Sequence, residues 1–239
     1  MCGRSSLTKT EKEIEKRFNA TFHTEELHRY NPLPNYNVAP THFHPVVTMN
    51  EQNIIHLYKW GLIPHWSKDR HIASKMINAR AETLADKLSF RILLTSKRCI
   101  IPVDGFYEWK RVGKQRLPYR ITCIDQDIMA LAGLWDQWID LATGTVEYTF
   151  AIITTVANEI MKPIHDRMPV ILTSEAEHRW INDNLSDKDA MSLLLPYNSA
   201  AMDAYKVSDK VNSVQNNNPS LILPQEDEIP QKGGQLSLF

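Results

Sequence analysis

Four side chains in this sequence have the chemistry to make or break bonds near neutral pH: Cys2, Asn78, Glu108 and His165. Cys2 follows the initiator methionine directly and is followed by Gly3 and Arg4. Removal of Met1, which a small second residue favours, leaves an α-amine and a thiol on adjacent carbons. Their ordinary pKa values, about 7.7–8.0 and about 8.5, let both act as nucleophiles near neutrality with modest help. Such a 1,2-aminothiol attacks an aldehyde with nitrogen and closes a five-membered thiazolidine with sulfur. A loose terminus carrying an incidental cysteine is the competing reading. Glu108 lies between Tyr107 and Trp109, where desolvation would raise a carboxylate's pKa and suit it to proton transfer. A strand glutamate turned toward water is the alternative. His165 sits in a proline-bracketed loop, Pro163-Ile164-His165-Asp166-Arg167-Met168-Pro169, a placement suited to a proton-transfer histidine and equally to an inert one. Asn78 and Arg80, two apart, share one face of an extended segment. There the amide can orient a carbonyl and the guanidinium can hold a phosphate; a cap with exposed charges is the plainer reading.

Those groups need a scaffold, and the composition supplies one. The 239 residues are 43% hydrophobic, enough for one large globular domain or two at most. The net charge of −1 excludes a polycation, so the overall balance says nothing for or against nucleic acid. Locally the picture differs: Arg91 to Arg120 holds eight basic residues against two acidic ones, interleaved with Phe106, Tyr107, Trp109 and Tyr119. That mixture suits a groove that tracks phosphates and stacks bases, or a solvated basic strand face. The three cysteines, Cys2, Cys99 and Cys123, lack CxxC spacing, which argues against a disulfide framework or zinc ribbon and fits a reducing cytoplasm. His42 and His44 complete no metal motif, and no apolar run is long enough for a membrane span. No cofactor is expected.

The expected elements are α+β: a mainly antiparallel, barrel-like sheet with peripheral helices. Thr10-Glu11-Lys12-Glu13 and Ser174-Glu175-Ala176-Glu177 both read as capping boxes. Helices are expected at Ala81 to Leu88, around Phe90 to Leu93, at Ala157 to Met161, Ser174 to Asn182 and Asp187 to Leu194. Strands are expected at Val46 to Thr48, Ile54 to Trp60, Tyr119 to Ile124, Ile128 to Leu134, Glu147 to Thr154 and Val170 to Leu172. Asp104-Gly105 reads as the turn of a strand–turn–strand unit, and the proline-rich stretch Asn31 to Pro45 as an extended loop. From Asn216 the composition shifts to that of a flexible polar linker.

Taken in order, Met1-Cys2-Gly3-Arg4, Tyr36-Asn37-Val38-Ala39-Pro40, Trp60-Gly61-Leu62-Ile63-Pro64, Ile77-Asn78-Ala79-Arg80-Ala81-Glu82-Thr83, Pro102 to Lys110 and Ile164-His165-Asp166-Arg167-Met168-Pro169 closely resemble the SOS-response-associated peptidase family. Its shared SRAP domain senses abasic sites in single-stranded DNA. The resemblance covers residues 2–222 and leaves 223–239 as a flexible tail. It implies that mature Cys2 bonds covalently to the ring-opened abasic aldehyde. It further implies that Asn78 positions amine and sugar, Glu108 assists ring opening, and His165 handles protons. Arg4, Arg80 and Arg167 would hold phosphates, and Pro40, Trp66 and Trp109 would shape or stack the strand. Little sequence preference is expected, because the lesion has no base to read.

The last five residues, Gln235-Leu236-Ser237-Leu238-Phe239, resemble the short peptide by which bacterial repair proteins bind the sliding clamp. Gln235, Leu236, Leu238 and Phe239 would be the anchors. The expected protein is thus a cytoplasmic monomer working at the nucleoid and replication fork. Two other readings stay open: an N-terminal-nucleophile cysteine peptidase or amidohydrolase using Cys2, His165 and Asn78, and a non-enzymatic DNA- or clamp-binding adaptor.

Overall fold

A computed structural model of the chain describes residues 2–30, 32–182 and 184–225. The clamp-like peptide at Gln235, Leu236, Leu238 and Phe239 lies outside them. Along the chain run β1 (Ser5–Leu7), α1 (Glu11–Phe18), β2 (Thr21–Phe22), α2 (Thr24–Tyr30), β3 (Asn35–Val38), β4 (Phe43–Thr48), β5 (Ile54–Trp60) and β6 (Asn78–Arg80). They are followed by α3 (Leu88–Ser96), β7 (Arg98–Val103), β8 (Gly105–Val112), β9 (Gln115–Cys123), β10 (Met129–Ile139) and β11 (Val146–Val156). The chain then forms β12 (Arg167–Pro169), β13 (Ile171–Leu172), α4 (Ser174–Trp180), α5 (Asp187–Ser192) and β14 (Met202–Lys206).

Two sheets result. In the larger, β11, β10, β7, β4 and β5 lie side by side, and β5 returns to pair in parallel with β11 at Thr149↔Lys59 and Phe150↔Trp60. The sheet therefore closes into a barrel, as the α+β, barrel-like expectation has it. Side-chain alternation then sorts the core. Val46, Tyr58, Trp60, Cys99, Ile101, Leu131, Phe150 and Ile152 form one buried cluster. From the opposite face of the same strands, Val47, Ile55, Leu57, Ile100, Ala132 and Ala151 join Ile14, Phe90, Leu94 and Trp180 of α1, α3 and α4 in the other. Gly133 marks how tightly the barrel is filled: a Cβ there would stand 2.1 Å from Ile101 Cδ1.

The second sheet, in the order β14-β9-β8-β1-β3, carries the N-terminus. One face holds Val38, Phe106 and Ile121 in the same cluster as Cys2 and the barrel residues. The other is covered by the segment after β14, through Tyr107, Val207, Val211 and Leu221. For Asn216 to Gln225, that wrap corrects the expected linker. Leu221 is buried in the Pro219–Ile222 turn, Asn218 caps that turn, and the Gln225 amide bonds the Lys206 carbonyl at 2.9 Å.

Other local expectations shift for identifiable reasons. The Thr10 capping box forms on both arms, but the second helix start moves to Thr173, whose hydroxyl accepts the Ala176 amide at 3.3 Å. The expected helix at Ala81 to Leu88 is only a 3-10 turn over Ala81–Thr83, because Asn78–Arg80 is already extended against β11. At Ala157 to Met161 the chain turns without forming a helix, held by Asn158 Oδ1 accepting the Met161 amide at 3.2 Å. The Asn31 to Pro45 loop contains β3, an edge strand compatible with flanking prolines. Asp104-Gly105 makes no hairpin: β7 and β8 belong to different sheets, and this bend carries the chain from one to the other.

Candidate active site

Pairing of β1 with β8 (Ser5↔Phe106, Ser6↔Gly105) continues toward the N-terminus through the Tyr107 amide, which donates to the Arg4 carbonyl at 2.9 Å. The same register sets Gly3 opposite Glu108. Glu108 shares a strand face with Phe106, so it turns toward the barrel and not toward water; it is 5% exposed. Cys2, 1% exposed, lies on that side too, in the cluster with Phe106 and Ile152. Burial, and next the charge of Glu108, push its thiol up to about 12. Burial thus opposes ionisation of the sulfur near neutral pH.

Asn78 reaches Cys2 from the other sheet. Its strand β6 pairs in parallel with β11 at Ile152↔Asn78 and Thr154↔Arg80, and its Nδ2 donates to the Cys2 carbonyl at 2.7 Å. The Oδ1 of the same amide is buried with no donor among the described residues. Arg80, two residues on, is exposed. On the opposite edge of β11, β12 pairs at Thr154↔Pro169 and Val156↔Arg167, so the loop carrying His165 flanks the same strand. The His165 amide donates to the carbonyl of Met161, itself buried in the Cys2 cluster. The ring's Nδ1 accepts the Arg167 amide at 3.0 Å. Asp166 Oδ1 stands 2.8 Å from the same Nδ1.

The remaining predicted contacts divide into two groups. Trp66 is 53% exposed, Pro40 is half-buried beside the exposed Thr41, and Arg80 is open to solvent. Arg167 is engaged: its guanidinium makes a two-pronged contact with Glu82 at 3.0 and 2.9 Å and donates to the Thr154 carbonyl at 2.6 Å. Arg4 and Trp109 face the C-terminal wrap. Arg4 donates to Asn37 Oδ1 at 2.7 Å and to the Val211 carbonyl at 2.6 Å, and its guanidinium lies 5.8 Å from the Trp109 ring centroid. Trp109 Nε1 bonds Asn212 Oδ1 at 2.7 Å.

The basic stretch is less of a groove than its charge count implied. Arg98 is wholly buried and donates to the carbonyls of Leu94, Trp180 and Asn182, while Arg120 is buried against Asp104. Phe106 and Tyr107 are core residues. Arg111, Lys114 and Arg116 remain exposed around the β8–β9 turn.

One group that matters for the site was not legible beforehand. Asp104 accepts from Ser6 Oγ at 2.6 Å, the Thr8 amide at 2.6 Å and Arg120 Nη2 at 3.0 Å, and so fixes β1, the strand that delivers Cys2. Its trace in the sequence is Gly105, where a Cβ would stand 2.6 Å from Arg120 Nε. Glu82, inside the Ile77-to-Thr83 motif, is the partner of Arg167. No cluster of three or more metal-ligating side chains occurs among the described residues, and none of their helices is long and apolar enough to cross a membrane.

A family model described as SOS response associated peptidase (SRAP) matches residues 1–214. The chain is similar to the abasic site processing protein YoqW of Bacillus subtilis, at 48% identity over 93% of this chain and 99% of the relative. It is also similar to the abasic site processing protein HMCES of Gallus gallus, at 32% identity over 83% of this chain and 68% of the relative. Among solved structures, a Bacteroides thetaiotaomicron protein superposes with a TM-score of 0.88 at 32% identity, covering 94% of this chain and all of the other.

Proposed function

This chain belongs to the SOS response associated peptidase family, and we propose that it captures abasic sites in single-stranded DNA through a covalent bond to Cys2. The observation that carries the reading is the Asn78 amide, whose Nδ2 holds the Cys2 carbonyl while its buried Oδ1 has no donor. An orphaned buried acceptor costs about 1–3 kcal/mol unless something supplies a hydrogen. Removal of Met1 frees the α-amine of the residue Asn78 already grips, and that amine is a donor.

Nitrogen acts first: the Cys2 amine adds to C1′ of the ring-opened deoxyribose, and the carbinolamine loses water to give an imine. The Cys2 thiol then adds to the imine carbon, its proton passing to nitrogen, and the thiazolidine closes. Aldehyde and aminothiol give ring and water. Glu108, beside the thiol, moves the proton that opens the sugar and then the thiol proton. His165 moves protons during imine formation or its reversal. Arg80, Trp66 and Pro40 form the exposed path for the strand, Arg167 joins it on leaving Glu82, and Arg4 and Trp109 brace the sheet behind.

Crosslinking to glycosylase-treated uracil DNA, read on a denaturing gel, tests the proposal. Wild type should give a stable adduct and Cys2→Ala none; an adduct that persists in Cys2→Ala, or mature protein that retains Met1 by mass spectrometry, would overturn it. The C-terminal Gln235, Leu236, Leu238 and Phe239 extend the proposal to a sliding clamp at replication forks. Equal clamp binding by full chain and by a chain truncated after Gly234 would remove that part alone.

A further inference from the structure

Thr41 occupies a backbone conformation that its side chain disfavours. The Ala39–His42 turn closes with the His42 amide on the Ala39 carbonyl at 3.1 Å, and Thr41, third in the turn, has φ +77°. That is the glycine position of a type II turn, and for a β-branched residue it is an outlier. Nothing described offsets the strain: Thr41 is exposed, its amide bonds the Trp60 carbonyl at 2.8 Å as a glycine's would, and its hydroxyl has no partner among the described residues. Glycine would serve this turn better, so the side chain is kept for something outside the fold.

Its location narrows what that is. Val38, three residues before, pairs with Ser5 and packs in the Cys2 cluster. Trp60, which holds the Thr41 amide, packs there too, and its Nε1 bonds the carbonyl of Ile77, the residue before Asn78. The turn is thus fastened to both elements that grip Cys2, with Pro40 and Thr41 at its tip. We propose that the Thr41 hydroxyl is a DNA-backbone contact, donating to a phosphate or sugar oxygen of the nucleotide next to the lesion. The strained turn holds it in place before binding, so little ordering is needed on contact. The inference rests on the abasic-site reading for its ligand.

Three variants test it on unmodified single-stranded DNA by fluorescence anisotropy, with crosslinking of abasic DNA run in parallel. Thr41→Val keeps the branched shape and strain but removes the hydroxyl, and should weaken binding about 3–10-fold. Thr41→Ser should bind like wild type. Thr41→Gly should weaken binding like Thr41→Val while raising the melting temperature by about 1–3 °C, because relieved strain exceeds glycine's extra freedom in the unfolded chain. Wild-type affinity in Thr41→Val overturns the contact, and a lower melting temperature in Thr41→Gly overturns the strain argument. A wild type that binds DNA without crosslinking sinks the covalent reading and leaves Thr41 decided by its own affinities; one that binds no DNA sinks both.

Discussion

Replacing Asn78 by aspartate changes one NH2 to an oxygen and almost nothing in shape, so its consequences can be worked out. In the wild type, Nδ2 donates to the Cys2 carbonyl at 2.7 Å. With a carboxylate, two acceptor oxygens face each other at that distance and the carbonyl loses its donor. A buried polar group left unsatisfied costs about 1–3 kcal/mol, which for a chain of this size lowers the melting temperature by roughly 2–12 °C. If the same bond positions the Cys2 amine in the transition state, the crosslinking rate falls by about 5- to 150-fold. The defect should shrink as pH falls toward the carboxylate range, because a protonated Asp side chain can again donate. Single-turnover crosslinking on a denaturing gel at pH 5 and pH 7.5, beside thermal melts, measures all three effects. A variant that crosslinks within twofold of wild type at both pH values, with an unchanged melting temperature, would show that the Asn78–Cys2 bond neither holds the terminus nor orients it.

Glu108→Gln removes the second cause of the raised Cys2 thiol, so iodoacetamide labelling of Cys2, followed by peptide mass spectrometry, should begin at lower pH than in wild type. The sign for stability follows from the same shift: between about pH 8.5, where a free thiol titrates, and about 12, where this one does, only the unfolded state has lost the proton. Stability from Cys2 is therefore complete below that window and disappears across it. An unchanged labelling profile in Glu108→Gln would place the carboxylate too far away to matter. Asp104→Ala leaves Arg120 buried without its counter-ion and should cost about 3–5 kcal/mol in a denaturant titration; a loss below about 1 kcal/mol would mean that Ser6 Oγ and the Tyr205 hydroxyl, which accept from the guanidinium at 3.2 and 2.8 Å, suffice for it. Glu82→Gln releases Arg167 from a partly exposed pair, so stability should change little while affinity for single-stranded DNA rises about two- to fivefold, and weaker binding would assign Glu82 itself to the strand.

The residues of the candidate site sit in short, ordered motifs that the sequence displays: Cys2 beside Met1, Asn78 two residues from Arg80, Glu108 between aromatics. The strands were legible wherever β-branched runs alternated, as in β5 and β11. What stayed hidden depends on pairing between distant segments. That Glu108 faces inward follows only once β8 lies between β1 and β9 with Phe106 toward the barrel. That Asn78 meets the Cys2 carbonyl follows only from the parallel pairing of β6 with β11. A count of charges could not separate Arg98, which caps carbonyls in the interior, from Arg111 at the surface, because both are arginines in a basic stretch. The C-terminal wrap was hidden for a related reason: polar Asn216 to Asn218 read as linker, although Asn217 and Asn218 act by bonding Tyr36 and capping a turn.

The burial of Cys2 sets a clock on the chain's own manufacture. In the folded protein residue 2 is 1% exposed, roofed by β8, whose first residue is Gly105. A ribosome working at about 5–20 residues per second takes about 5–20 s to make the intervening hundred residues, and over that interval β1 has no β8 to pair with. An aminopeptidase that removes Met1, as the proposed chemistry requires, would meet an open N-terminus during synthesis and a closed one afterwards. On the proposed Cys2 chemistry, the order in which the strands leave the ribosome would set whether residue 2 is uncovered in time.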